Sequence, residues 1–144
     1  MMKEIYDTNN INWADVSALF REVGWGEREP EQIRWAFAKS SHVIFIYDGA
    51  MLVGFGRTMD DGCYYALLVD VVIKPLYQQQ GLGTLIVKHL REQLIGYSFV
   101  TLTAAPGKSD FYKKLGWHQQ STAFIWPQSE KQRQQHTCHD KESL

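Results

Sequence analysis

The run Gln78-Gln79-Gln80-Gly81-Leu82-Gly83 stands where an apolar stretch, Leu67 to Ile73 closed by Lys74-Pro75, gives way to a helical pattern beginning near Gly81. A helix that starts on glycines exposes first-turn N–H groups with no acceptor inside the helix, at the positive end of its dipole. That makes an anion site. Glycine suits it twice over, because no side chain holds the anion away and because φ > 0 is open to it. A diphosphate is the natural guest, and Thr84 can add a hydroxyl to the backbone donors.

The type of diphosphate can be narrowed. A P-loop needs Lys-Ser or Lys-Thr after its last glycine, and Leu82-Gly83-Thr84 supplies no lysine. The dinucleotide fingerprint needs a third glycine in G-x-G-x-x-G spacing, where this chain has Ile86. What remains is Gln-x-x-Gly-x-Gly after a strand ending in proline, in the context Asp70-Val-Val-Ile-Lys-Pro-Leu-Tyr-Gln-Gln-Gln-Gly-Leu-Gly-Thr-Leu-Ile. This segment resembles the acetyl-CoA pyrophosphate loop of the GNAT superfamily of N-acetyltransferases. Phe111-Tyr112-Lys113-Lys114-Leu115-Gly116-Trp117 resembles the family's F-Y-x-x-L-G-F segment, and one helix plus one strand fits between the two motifs. The likeness extends over most of residues 3 to 126.

The resemblance implies a fold, a cofactor and roles for particular residues. The fold is α/β: a single-domain GNAT-like arrangement with a mixed, mostly antiparallel central sheet flanked by helices and splayed between the fourth and fifth strands. The cosubstrate is acetyl-CoA. Its diphosphate would lie on Gln78, Gln79, Gln80, Gly81, Leu82, Gly83 and Thr84, and its pantetheine along backbone groups near Val71, Val72 and Ile73. One of those amides would face the thioester oxygen as a preorganised donor. Read without the family, Val71-Val72-Ile73 is a buried strand, and both readings can hold.

Transfer to an amine also needs a proton for the leaving thiolate and an acceptor that has lost one. The family's tyrosine maps to Tyr112, a phenol of ordinary pKa about 10 that can serve as general acid; packing at a helix end is the alternative. For the base, Asp70 stands out as a lone carboxylate in an apolar strand. A structural acid accepting hydrogen bonds explains it equally well. Glu22 is a second candidate, though a solvated helix face accounts for it. His42 and His118 read as surface residues beside strands.

Two departures from the family pattern bear on the acceptor. Histone-modifying members carry a glutamate where this chain has Leu67, and serotonin-type members carry histidines where it has Leu67 and Val69. Neither specialised class is supported. Thr103-Ala104-Ala105-Pro106 also lacks the asparagine that often follows the fifth strand and contacts the cofactor. Trp13, Trp25, Trp35 and Phe37 fall in the two early helices that wall the acceptor site in the family. A small-molecule primary amine with an apolar or aromatic body fits them, with cation–π attraction as a further contribution; a core stripe is the plainer alternative. Cys63 and Cys138 are too far from the cofactor segment to support a ping-pong route. His136, Cys138 and His139 have no fourth ligand, so no metal is expected.

The elements that must hold these residues follow from periodicity. Residues 3 to 7 read as a strand. Asn12 caps a helix from Trp13 to about Val23, with Val16, Leu19, Phe20 and Val23 on one face. Pro30 opens a second helix through Ala38. His42 to Tyr47 and Met51 to Thr58 form a hairpin around Asp48-Gly49, followed by a strand from Cys63 to Ile73. A helix from Gly81 to Gly96 follows, then a buried strand from Ser98 to Thr103, a helix from Pro106 to Leu115 and a last strand from Trp117 to Trp126.

Bulk properties exclude other classes. At 144 residues, with 44% hydrophobic and 22% charged residues, the chain is expected to be one domain over 1–126 with a polar, disordered tail over 127–144. A net charge of −1 offers no footing for nucleic acid or an anionic membrane. Two distant cysteines and a polar start point to a reduced, cytoplasmic protein. Family habit, and an aromatic strand ending Phe124-Ile125-Trp126, predict a homodimer.

Overall fold

The computed structural model describes residues 1–138. These divide into two compact units, Met1–Thr103 and Ala104 onward.

The first unit contains β1 (Met2–Ile5), α1 (Trp13–Glu22), α2 (Pro30–Ala38), β2 (Val43–Asp48), β3 (Met51–Asp60), β4 (Tyr65–Ile73), a 3₁₀ turn (Pro75–Tyr77), α3 (Leu82–Gln93) and β5 (Phe99–Leu102). One five-stranded sheet runs in the order β1-β2-β3-β4-β5. Its first three pairings are antiparallel and the β4–β5 pairing is parallel. This is the mixed, mostly antiparallel sheet expected from the sequence.

Alternation along β3 sorts the two faces of the sheet. Phe55 joins Val16, Phe20, Ile33 and Phe37 in the core beneath α1 and α2. The neighbouring Gly54 and Gly56 face the other way, and the missing side chain of Gly56 lets Ile86 of α3 approach closely. A Cβ at Gly56 would stand 2.7 Å from Ile86 Cγ2, whereas one at Gly54 would first meet Ile73 Cδ1 at 2.8 Å. Such contact seats α3 deep on the sheet and fixes the height of its N-terminus.

The second unit contains α4 (Ser109–Lys114) and α5 (Glu130–His136). Here the structure departs from the sequence reading. Trp117 to Trp126 is not a strand; it is irregular, with Phe124 98% and Trp126 87% exposed. β-rich composition alone does not make a strand, since an extended segment must find hydrogen bonds outside itself. Within the stretch expected to be a disordered tail, Glu130–His136 is helical. Ser129 Oγ accepts from Gln132 N at 3.0 Å, and Glu130 pairs with Arg133 one turn on, local contacts that suffice for two turns. The strand expected over Ser98 to Thr103 is shorter and only partly buried.

Candidate active site

Pairing between β4 and β5 runs from Tyr65↔Phe99 to Leu68↔Leu102 and stops. Beyond Leu68, no described strand pairs with that side of β4, so the backbone of Val69 to Ile73 keeps one edge open. This is the splay expected between the fourth and fifth strands. Val71, Val72 and Ile73 therefore lie on a strand paired to β3 on one side only, with Val72 fully in the core and Val71 and Ile73 half-buried.

Where that edge opens, β4 also bulges. Register passes from Arg57↔Val69 to Phe55↔Val72, so β4 spends three residues where β3 spends two. The extra length is taken up at Asp70, whose φ of 55° lies in the left-handed region. Among non-glycine residues, aspartate and asparagine enter that region most readily. The Asp70 side chain is only 10% exposed, and both carboxylate oxygens are engaged. Oδ2 accepts from Arg57 Nε at 2.8 Å and Oδ1 from Arg28 Nη1 at 3.2 Å. A carboxylate so placed needs such partners, since an unpaired buried charge is costly. Sequence reasoning singled out Asp70 and missed both arginines. A signal existed in Arg57, the one basic residue of β3, the strand expected to neighbour β4.

The 3₁₀ turn Pro75–Tyr77, not foreseen, carries the chain from β4 into the loop. Loop and strand are braced by side chains. Gln78 Nε2 donates to Ile73 O at 3.1 Å and Gln80 Nε2 to Leu76 O at 3.3 Å. Tyr77 Oη donates to Asp48 Oδ2 at 2.6 Å, which holds the Asp48 carboxyl below the usual range and raises the phenol. Lys74 Nζ reaches Glu22 Oε1 at 2.8 Å, so the second candidate base is engaged in an ion pair. The glutamines thus shape the loop from behind, and their side-chain amides are spent on backbone carbonyls.

Two left-handed residues, Gln79 (φ 64°) and Gly81 (φ 86°), turn the loop into α3. Gly81 is the N-cap, and no side chain caps the helix there. The first intrahelical bond from the cap is Leu85 N to Gly81 O at 3.0 Å. First-turn N–H groups of Leu82, Gly83 and Thr84 are therefore left for an external acceptor. The helix thus starts on exposed backbone donors at the glycine the sequence marked.

Tyr112 belongs to the second unit, on α4. Its ring meets Phe111 edge-on at 4.9 Å and Trp117 at 6.4 Å, and its carbonyl accepts from Leu115 N and Trp117 N at 3.0 Å. Gly116, at φ 97°, closes the helix as expected. Burial raises the Tyr112 phenol above its ordinary value, so it holds its proton at neutral pH.

The four aromatics assigned to an acceptor wall separate. Phe37 is 1% exposed in the core, and Trp13 packs on it at 5.4 Å. Only Trp25, 36% exposed, and Trp35, 57% exposed, face outward. His42 is half-buried and His118 exposed. Among the described residues, no three metal-binding side chains cluster; His139 of the tail triplet lies outside them. No described helix is long and apolar enough to cross a membrane.

Comparison with known proteins bears on this geometry. A family model described as an acetyltransferase (GNAT) domain matches residues 19–126. An uncharacterized N-acetyltransferase, ycf52 of Pyropia yezoensis, is 37% identical over 123 residues, 80% of this chain and 71% of that protein. The chloroplastic serotonin N-acetyltransferase 2 of Oryza sativa subsp. japonica is 35% identical over 113 residues, 72% of this chain and 56% of that protein. Among solved structures, a probable acetyltransferase from meticillin-resistant Staphylococcus aureus matches with a TM-score of 0.79 at 24% identity, over 90% of this chain and 100% of that one.

Proposed function

Because the chain belongs to the GNAT family of acetyltransferases, we propose that it moves the acetyl group of acetyl-CoA directly to a primary amine of a small molecule. The observation that carries the cofactor half of this reading is the uncapped start of α3 behind the left-handed pair Gln79 and Gly81, beside the open edge of β4. The cosubstrate contributes a thioester: the free-base amine attacks its acetyl carbon, the C–S bond breaks, and the proton lost from the nitrogen leaves through water. The N–H groups of Leu82, Gly83 and Thr84 hold the diphosphate, with Gln78 and Gln80 keeping the loop in shape. The open edge at Val71, Val72 and Ile73 takes the pantetheine, and a β4 amide donates to the carbonyl as charge develops there.

Tyr112 Oη keeps the proton that the departing sulfur requires. Its raised pKa supports that role, since the acid form persists at neutral pH. Of the two roles open to Asp70, base or structural acid, its paired oxygens support the second. Trp25 and Trp35 offer the acceptor apolar surface, and the name of the rice relative gives serotonin as that protein's acceptor. We assign the catalytic domain to 1–126, in a cytoplasmic homodimer.

The test is a panel of free amines and short peptides, read by appearance of free CoA thiol. Turnover on amines is expected. Turnover on peptides alone would move the acceptor to a protein amino group. CoA binding without thiol release against the whole panel would indicate a non-catalytic acyl-CoA sensor.

A further inference from the structure

We propose that Arg28, Asp70 and Arg57 form a positioning latch that holds the β4 bulge in its reacting shape, with Asp70 acting through that latch and not as a proton acceptor. The inference rests on the acetyl-transfer reading for its purpose, and on geometry for its substance. Three separate segments meet at one carboxylate: the connection between α1 and α2 through Arg28, β3 through Arg57, and the bulge itself through Asp70.

Each arginine is independently fixed. Arg57 is only 12% exposed; its Nη1 donates to Ser40 Oγ at 3.2 Å and its guanidinium lies 5.4 Å from the Phe37 ring centroid. Arg28 sits 4.2 Å over Phe20 and 5.8 Å from Trp25. Its carbonyl accepts from the buried Ser17 Oγ at 2.6 Å, which ties the connection to α1. Arg57 thus approaches Asp70 from the core, and Arg28, its side chain 40% exposed, from over the Phe20 ring. Planar guanidinium groups suit this, because their donors are held in a fixed fork.

The latch has a clear mechanical object. Asp70 is the residue at which β4 takes up its extra length, and it does so at φ 55°. One residue later begins the backbone assigned to the thioester. If the carboxylate were free, β4 could relax toward regular pairing with β3, and a one-residue change of register would turn Val71 and Val72 over to the opposite face. Even a misplacement of about 1 Å costs about 10² in rate when it arises away from the reacting atoms.

The experiment compares wild type with Asp70→Asn, Arg57→Gln and their double variant. Asp70→Gly is added because it keeps the left-handed φ accessible if the asparagine variant fails to fold. Hydrogen exchange of the segment 69–73 is read first, since it needs no turnover. About tenfold faster exchange in each single variant, and no further gain in the double, is expected for one shared device. Turnover should fall about 10²-fold in each single variant, with an unchanged shape of the pH–rate profile. Unaltered exchange at 69–73, or losses that add in the double variant, overturns the latch. So does a lost acidic limb in Asp70→Asn beside normal turnover in Arg57→Gln, which would make Asp70 the base. Should wild type release no thiol from any amine, the acetyl-transfer reading fails, and exchange alone decides the latch.

Discussion

Gly56 of β3 lies directly beneath Ile86 of α3, so that a Cβ on the glycine would meet Ile86 Cγ2 at 2.7 Å and Leu90 Cδ1 at 3.1 Å. The Ile86 methyl is attached to a branched Cβ and has little freedom to step aside. Gly56→Ala is therefore expected to lift α3 and to destabilise the fold by about 1–3 kcal/mol, the usual cost of overpacking. Thermal melts measure this. Ile86→Leu, which removes the branch at Cβ, should recover part of the loss in the double variant; no recovery would point to strain in the strand itself.

Gly81 presents the opposite case. Nothing lies within 4 Å of a Cβ placed there, but φ is 86°. Gly81→Ala should cost roughly 1–2 kcal/mol through backbone conformation alone. Gly81→Glu and Gly83→Glu should abolish acetyl-CoA binding while the fold survives, because a carboxylate at the helix start competes with the diphosphate and repels it. Calorimetric titration of each folded variant checks this, and unchanged affinity would remove the loop from the cofactor site.

Tyr112→Phe keeps the ring against Phe111 and Trp117 and removes the proton. Turnover should fall by roughly 10²–10⁴-fold with little change in melting temperature or cofactor affinity. Burial raises the phenol's pKa, so the acid form and the rate it supports persist below about pH 10 and are lost only as pH climbs through the raised value. The same sign holds for stability, with the contribution present below the unfolded pKa and lost above it. A Phe variant with near-normal turnover in a chemistry-limited assay would reduce Tyr112 to packing.

Phe124 and Trp126 expose nearly all of their side chains. Such aromatic surface is expected to be covered by a second copy of the chain. Sedimentation should find dimers at micromolar concentration, and Trp126→Ser should weaken them. Monomer at every concentration would overturn the assignment.

The sequence made the main helices and most strands of residues 2–102 legible because their signals are local. Asn12 before Trp13, Pro30 at a helix start and Asp48-Gly49 between two β-branched runs each announce a boundary by their own chemistry. The uncapped start of α3 was legible for the same reason, since Gly81 marks where backbone is exposed. Arg28 and Arg57 were not legible as partners of Asp70, since 42 and 13 residues separate them along the chain and only the fold brings them together. Trp117 to Trp126 misled because strand propensity describes fitness for a sheet and says nothing about whether an edge is available.

The bracing of the loop between β4 and α3 has a thermodynamic consequence. Lys74 is tied to Glu22, Tyr77 to Asp48, Gln78 to Ile73 and Gln80 to Leu76 by contacts within the chain itself. On the proposed reading, a diphosphate docking there would find its donors already aligned, with little chain freedom left to lose on binding. Its association should be fast and its entropic penalty small. Cutting the braces, as in Gln78→Ala with Tyr77→Phe, should then weaken affinity through a more unfavourable entropy at nearly constant enthalpy.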